Sequence, residues 1–320
     1  MMFFKEYVGY KLNTRVKAVL ESVQYYPFHV HEDDIEIICV LNGSLNLSCE
    51  ALDYELKYGD IFIVNHNGPH KILSSSEDCI MLTVHLNVSY FGQYFDMLSE
   101  KYFVCGSGYG TGDNYPEFRH IRFILAKVYE QYSSKSPEEY RLRESGIELL
   151  HQLMDLNLYY YYYEKTSAGD YQMASVKNPS INGGTITRVF RIIDHISNHL
   201  QDKIKLSDLA KKEYISEEHL SRLIKSVTGR SFSEILSSER CESAVLLLGR
   251  TDKNIDRIAM EVGFANSSHL ASQFRRWYHK SPSEYRRDIR SDLNNIAAVK
   301  YRTFDRNFAN QILEMYLDGF

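Results

Sequence analysis

The hydrophobic period of this chain changes once, near Pro116, and that change limits what each half can fold into. Before it, short apolar runs at 35–41, 45–49, 54–56, 61–64 and 80–86 are separated by Asn42-Gly43, Tyr58-Gly59 and Asn67-Gly68-Pro69. β-Branched residues between regular turn signals predict an antiparallel sandwich or barrel. Asn42-Gly43 reads as a tight hairpin turn, because both residues tolerate positive φ. After Pro116 the spacing becomes three and four, at Phe118, Ile121, Ile124, Leu125 and Val128. A second helix is predicted to open at Ser136-Pro137-Glu138-Glu139 and to continue through Leu142, Ile147, Leu149, Leu150, Leu153 and Met154 toward the tyrosine cluster 159–163.

Composition narrows the class. The 320 residues are 44% hydrophobic and 25% charged, which suits two globular domains and excludes disorder throughout. No apolar run approaches the ~18–20 residues that span a bilayer, and the N-terminus lacks the pattern of a signal peptide. The five cysteines (39, 49, 79, 105 and 241) form no CxxC pair, so reduced thiols in the cytoplasm are expected. Residues 1–163 carry 13 basic and 22 acidic side chains, a net −9, whereas 185–288 carry 18 and 14, a net +4. Only the rear half is thereby suited to a polyanion.

That rear half holds two units of similar build. Leu206, Leu209 and Ala210 mark a short helix with Ser207 as its expected N-cap, and Ser216 opens a second helix to Thr228. Ile255, Ile258, Ala259 and Val262 repeat the first helix, Gly263-Phe264-Ala265-Asn266 the turn, and Ser267–Tyr278 the second. Helix, short turn, helix is the helix-turn-helix pattern. Its second helix must turn an apolar stripe inward and a small, polar or basic face toward the major groove. Leu220, Leu223, Ile224 and Val227 form one such stripe, and Leu270, Phe274, Trp277 and Tyr278 the other. Between the units, 232–248 reads as one long helix that holds the two readers about one DNA turn, ~34 Å, apart.

On these motifs, residues 192–287 resemble the DNA-binding domain of AraC/XylS-type transcriptional regulators. The matching segments are Leu206-Ser207-Asp208-Leu209-Ala210, Ser216-x-x-His219-Leu220-Ser221-Arg222-Leu223, Thr228-Gly229-x-x-Phe232, Arg240-x-x-x-Ala244-x-x-Leu247-Leu248, Ile255-x-x-Ile258-Ala259-x-x-x-Gly263-Phe264 and Ser281-Pro282-x-x-Tyr285-Arg286. The resemblance implies DNA contact by Glu218, Ser221, Arg222 and Lys225 in the first unit. In the second it implies contact by Ser267, Ser268, His269, Ser272, Gln273 and Arg276, with Arg275 a further phosphate ligand. A solvated helix face is the alternative for each. Ser272 stands where many relatives carry Arg, which lowers the charge of the second reader.

The front half resembles the cupin family in His29-Val30-His31, Glu36 and Gly43, and in Gly59-Asp60 through His70, although Asn65 and Asn67 replace the family's Pro and Gly. The resemblance implies that His29, His31, Glu36 and His70 line a barrel site, with Tyr26 and Phe28 available to stack on a sugar. Sensor cupins of the AraC type bind a small molecule there without metal chemistry; metal-binding cupins use the same four positions as ligands. No cofactor is expected on the first reading.

Together these features predict an α+β chain of two domains. A cupin-like β-barrel or jelly roll with two helices occupies 1–163, a linker 164–184, and an all-α double helix-turn-helix domain 185–288. The tail 289–320 has no readable motif beyond a short packing helix at 311–317, and the glycine-rich 106–112 reads as a loop. The expected function is a cytoplasmic, dimeric transcriptional activator. Its partners would be double-stranded DNA, a small-molecule effector such as a carbohydrate, and RNA polymerase, with no membrane. The alternatives are a metal-dependent cupin oxygenase or isomerase fused to a DNA-binding domain, or an activator without an effector.

Overall fold

The computed structural model describes residues 4–5, 8–49, 52–74, 76–95, 98–101, 103, 116–155, 161–165, 171–175, 183–294, 301–304 and 306–317. The chain divides into two compact units, one of residues 3–159 with 291–320 and the other centred on 160–290. The glycine-rich stretch 106–112, Cys105 and most of the expected linker lie outside the described residues.

The first unit is a sandwich of two five-stranded sheets. One sheet holds β1 (Phe4–Lys5), β3 (Tyr25–Val30), β8 (His70–Ser74), β5 (Ser44–Cys49) and β6 (Leu52–Lys57), in that order. The other holds β12 (Tyr301–Thr303), β2 (Val16–Val23), β9 (Ile80–Asn87), β4 (Asp34–Asn42) and β7 (Ile61–Val64). β4 is buried on both faces. Ile35, Ile37, Cys39 and Leu41 join a core with the helices, while Ile38 and Val40 pack between the sheets with Leu45, Leu47, Phe62 and Met81. A strand covered on both sides reads as an unbroken apolar run, which is why 35–41 shows no alternation in sequence.

Asn42-Gly43 is not a hairpin turn. Gly43 takes the expected positive φ of 68°. However, β4 pairs with β7 and β9, and β5 pairs with β6 and β8, so the chain here crosses from one sheet to the other. A Cβ on Gly43 would lie 2.3 Å from the Ser76 Oγ, a side-chain atom that would have to shift, and 3.1 Å from the Cys79 Cα, so the corner calls for glycine chiefly through its φ.

Three longer helices cover the outer face of the second sheet. α1 (Val88–Phe91) leads toward α2 (Pro116–Tyr132) and α3 (Glu139–Asp155). α3 begins at Glu139 rather than at Ser136-Pro137, and Glu139 lies in its first turn. The tail supplies the rest. β12 pairs antiparallel with β2 at Tyr301↔Val23 and Thr303↔Glu21. A helix at Arg306–Leu317, α11 in chain order, buries Ala309 and Leu313 in the core that holds α2 and α3. The tail therefore belongs to the first unit, whose chain is completed only after the second unit in sequence.

That second unit opens with an antiparallel ribbon, β10 (Tyr161–Lys165) and β11 (Tyr171–Ser175), in a stretch expected to be aperiodic. Seven helices follow: α4 (Gly183–Asn198), α5 (Leu206–Lys212), α6 (Glu217–Thr228), α7 (Phe232–Arg250), α8 (Ile255–Glu261), α9 (Ser267–Tyr278) and α10 (Pro282–Asn294). Ser207 is not the N-cap of α5: Lys205 is, without a side-chain cap. No helix among the described residues is long and apolar enough to cross a membrane.

If the tail is part of the first unit's core, Leu313→Ala, at a side chain 1% exposed, removes packing from that unit alone. The expected cost is ~2–4 kcal/mol. Urea unfolding followed separately for the two units checks this; an unchanged first-unit midpoint would detach the tail from that core.

Candidate functional site

The two helix-turn-helix units repeat each other in backbone detail. In the first, Tyr214 sits at φ 57° and the N–H of Ile215 donates to the Ala210 carbonyl at 3.1 Å. In the second, Gly263 sits at φ 87° and the N–H of Phe264 donates to the Ala259 carbonyl at 2.8 Å. The turn needs one left-handed residue, and Tyr214, almost fully exposed, supplies it at a steric cost that Gly263 avoids. Gly263 is also forced by space, since a Cβ there would lie 2.0 Å from the Leu200 carbonyl oxygen.

Both reader helices are capped and closed in the same way. Ser216 and Asn266 accept from the N–H groups of His219 and His269. α6 ends on Gly229 and α9 on His279, both left-handed. Each is followed, two residues later, by a serine–glutamate capping box, Ser231 with Glu234 and Ser281 with Glu284.

The expected faces form. Leu220, Ile224 and Val227 are buried and Leu223 half-buried; Leu270, Phe274 and Tyr278 are buried and Trp277 half-buried. Outward on α6, Glu218, Arg222 and Lys225 are exposed and Ser221 is half-buried. These four stand at i, i+3, i+4 and i+7, a single stripe. Arg222 and Lys225 take part in no ion pair among the described residues. On α9, Ser268, His269, Ser272 and Arg276 are exposed, and Ser267 and Gln273 half-buried. Two of these side chains are already engaged. Arg276 donates to Glu234 at 2.7 Å, and the His269 ring packs edge-on against Phe264 at 5.2 Å. α9 thus offers a more neutral face than α6.

The second site lies between the sheets of the first unit. His29 on β3 pairs with His70 on β8, and Glu36 on β4 lies opposite His85 on β9. With His31, these side chains meet in the interior: His29, His31, Glu36 and His70 are each at most 3% exposed. The Glu36 Oε2 lies 2.8 Å from the His70 Nε2 and 3.2 Å from the His31 Nε2. One ligand atom from each of the four residues falls within 4.8 Å of the others. The two residues that depart from the cupin pattern each have a local role. Asn67 adopts the left-handed φ of 61°, and Asn65 exchanges two hydrogen bonds with the Phe103 backbone, at 2.8 and 2.7 Å.

His29, Glu36 and Tyr26 line a cavity of about 390 Å³ together with Lys17, Glu21, Ile72, Met81 and His85. Phe28, expected beside Tyr26, does not line it; its ring lies 5.2 Å under the Lys71 ammonium. The register between β3 and β8 shifts between Tyr26 and His29. That bulge exchanges the faces, so Tyr26 and His29 share a side and Phe28 leaves it. Lys17, Glu21 and His85 went unrecognised in sequence, although Thr83 and His85 alternate with Leu82, Val84 and Leu86, and that alternation is the pattern of an inward polar pair.

Burial dominates the electrostatics. Desolvation, then the charges of His70 and His31, holds His29 well below the usual imidazole range. Desolvation brings His85 down to about 3. For Glu36, desolvation acts upward, but His70 and His31 outweigh it and keep the carboxylate ionised. Cys39 is pushed up to about 12 by burial, which leaves its thiol inert.

Comparison with known proteins finds a family model for each unit. Residues 21–151 match the model of the AraC-like ligand binding domain, and residues 209–288 that of a helix-turn-helix domain. An uncharacterised HTH-type transcriptional regulator of Staphylococcus aureus (strain MRSA252) is 25% identical over 269 residues, 83% of this chain and 33% of that protein. The regulatory protein PocR of Salmonella typhimurium is 31% identical over 115 residues, 36% of this chain and 37% of its own. Among solved structures, ToxT from Vibrio cholerae O395 aligns over 87% of this chain and 99% of its own, at 14% identity and a TM-score of 0.43. The chain spans about a third of the length of the staphylococcal relatives it matches.

A base whose folded pKa is depressed takes up its proton in the unfolded chain first, so stability falls as pH drops. For His85 that window runs from the unfolded value near 6.5 down to about 3. His85→Gln is therefore expected to flatten the decline in melting temperature between pH 6.5 and 4, measured with a chelator present. Parallel curves for the two proteins would remove His85 as a source of acid sensitivity.

Proposed function

Given that the chain belongs to the AraC family of transcriptional regulators, we propose that it is an effector-controlled, sequence-specific DNA-binding regulator acting as an activator. One observation carries this reading: two capped helices of 12 residues each, α6 and α9, built on the same turn, the same closure and the same division into apolar and polar faces. A solvated helix face has no need of that repetition; insertion into two successive major-groove segments does.

The two readers divide the work. α6 presents Arg222 and Lys225 with Ser221 and Glu218, which suits bidentate contact to guanine, phosphate contact, and acceptance from a cytosine amine. α9 presents Ser267, Ser268, Ser272 and Gln273, short hydrogen-bonding groups with little charge. α6 then supplies most of the affinity and α9 refines the choice of site. Arg275, exposed in the last turn of α9, is the phosphate ligand in place of the engaged Arg276.

The effector occupies the cavity between the sheets. Its volume of about 390 Å³, the Tyr26 ring and the polar groups of Lys17, Glu21 and His85 suit a small molecule rich in hydroxyl groups, of carbohydrate type. Control requires that the effector bind one arrangement of a dimer more tightly than the other; differential affinity sets the ceiling on the response. The favoured arrangement recruits RNA polymerase.

A mobility-shift titration on the region upstream of the chain's own gene tests the reading. Arg222→Ala is expected to weaken binding by ~1–3 kcal/mol, and Lys225→Ala to weaken it uniformly across sequences with a shallower salt dependence. Full-strength binding by Arg222→Ala at every salt concentration would take α6 out of the groove.

A further inference from the structure

We propose that the cavity between the sheets selects a carboxylated sugar, an aldonic or uronic acid, with Lys17 holding its carboxylate and His85 a nearby hydroxyl group. This rests on the carbohydrate reading above and narrows it to an anionic member of that class.

Strand parity brings the two side chains together. On β2, Lys17, Val19, Glu21 and Val23 line the cavity, while Val16, Ala18 and Leu20 join the core on the helix side. Lys17 stands directly opposite His85 across β2 and β9, and His85 directly opposite Glu36 across β9 and β4. The three residues form one row over three adjacent strands, with neighbouring Cβ atoms ~5 Å apart. Their situations differ. Glu36 already meets His70 and His31, at 2.8 and 3.2 Å. Lys17 is half-buried and takes part in no ion pair or hydrogen bond among the described residues. It is also the one lysine or arginine among the described residues that line the cavity. His85 is 5% exposed, yet its buried Nδ1 has no hydrogen-bond partner. A buried polar atom left unpaired costs free energy, and a hydrogen bond from a ligand removes that cost.

A carboxylate close to a hydroxyl group answers both side chains. Ammonium–carboxylate hydrogen bonds are charge-assisted and stronger than those between neutral groups. A hydroxyl group both donates and accepts, so it can partner either ring nitrogen of an imidazole. Aldonic and uronic acids carry a hydroxyl group one or two carbons from the carboxylate, a separation that two neighbouring side chains of one row can span. The far end of the cavity fixes the orientation. Glu21 lies four residues along β2, ~13 Å of strand from Lys17. Its Oε1 accepts from the Thr83 hydroxyl at 2.6 Å, so this end is built from acceptors that suit ligand hydroxyls and offer nothing to a second carboxylate. The volume of about 390 Å³ lies near the lower end of the ~300–1,000 Å³ of small-molecule sites, which fits a single sugar unit.

Titration calorimetry on the full chain tests this with D-gluconate, D-glucuronate and D-galacturonate, with the neutral D-glucose and D-galactose, and with octanoate as a carboxylate that lacks hydroxyl groups. The sugar acids are expected to bind at least ~10-fold more tightly than the neutral sugars and than octanoate. Lys17→Met is expected to erase the preference for the acids while leaving the neutral sugars within about 2-fold, and Lys17→Arg to restore it. His85→Leu is expected to weaken acids and neutral sugars alike, whereas His85→Gln, which keeps a donor and an acceptor, binds as the parent does. A merely structural role for Lys17 would not move the ratio of acid to neutral sugar. Neutral sugars that bind as tightly as the acids would overturn the assignment of Lys17 and leave a carbohydrate effector standing. Octanoate that outbinds the sugar acids, or no binding of any probe at about 10 mM, would overturn the carboxylated sugar as ligand. A mobility shift on the same preparation without added sugar reports DNA binding separately, so failure of this selectivity and failure of the regulator reading give different results.

Discussion

A carboxylate buried between two sheets is stable only inside a shell of positive or hydrogen-donating groups, and Glu36 is the carboxylate around which the sensor unit is arranged. Its position follows from strand parity. On β4, odd-numbered residues from Ile35 to Leu41 join the helix-side core, and even-numbered ones from Glu36 to Val40 face the other sheet. A slip of one residue would send Glu36 among Ile121, Leu125 and Leu149 and turn isoleucines toward the histidines. The pairing of β4 with both β7 and β9 blocks that slip, because each neighbour fixes the same register at Glu36, opposite Val64 and His85. The chemistry of the site and the hydrogen bonding of the sheet are thus one constraint.

Features set by period and local chemistry were legible in the sequence. The strands, the reader helices α6 and α9 and the linking helix α7 follow from such signals, whereas the meeting of His29, His31, Glu36 and His70 was implied by the resemblance to cupins. Features set by long-range pairing were not. Asn42-Gly43 has the residues of a hairpin, but the partner of β4 is chosen by β9, nearly forty residues later. Phe28 leaves the cavity because of a bulge that no residue type announces. The tail strand Tyr301–Thr303 is three residues long, with no pattern to detect, and acquires meaning only beside β2.

In the DNA-binding unit the informative signal was the repetition of ends rather than of helices. Short helices such as α5 and α8, seven residues each, are marginal alone and hold their shape through tertiary packing. What recurs between the two halves is the left-handed turn residue, the Asn or Ser cap and the serine–glutamate box. The exchange of Gly263 for Tyr214, and of Gly229 for His279, shows that the turn geometry is enforced by its surroundings and does not depend on glycine in every instance. Charge divides the halves more deeply. The ion pair of Arg276 with Glu234 ties α9 to α7, so the side chain that stiffens the second reader is withdrawn from its outer face.

The return of the tail alters how the two units are joined. Had the chain ended after α10, one segment would connect them, and the sensor unit would be complete before the other began. Instead β12 completes the edge of a sheet whose next strand, β2, carries Lys17 and Glu21 into the cavity. The DNA-binding unit is therefore covalently bracketed, leaving the sensor after α3 and re-entering it at β12. A molecule in the cavity touches β2, which is hydrogen-bonded to β12. Of the β2–β12 pair, one strand lines the cavity and the other follows the last helix of the second unit in sequence.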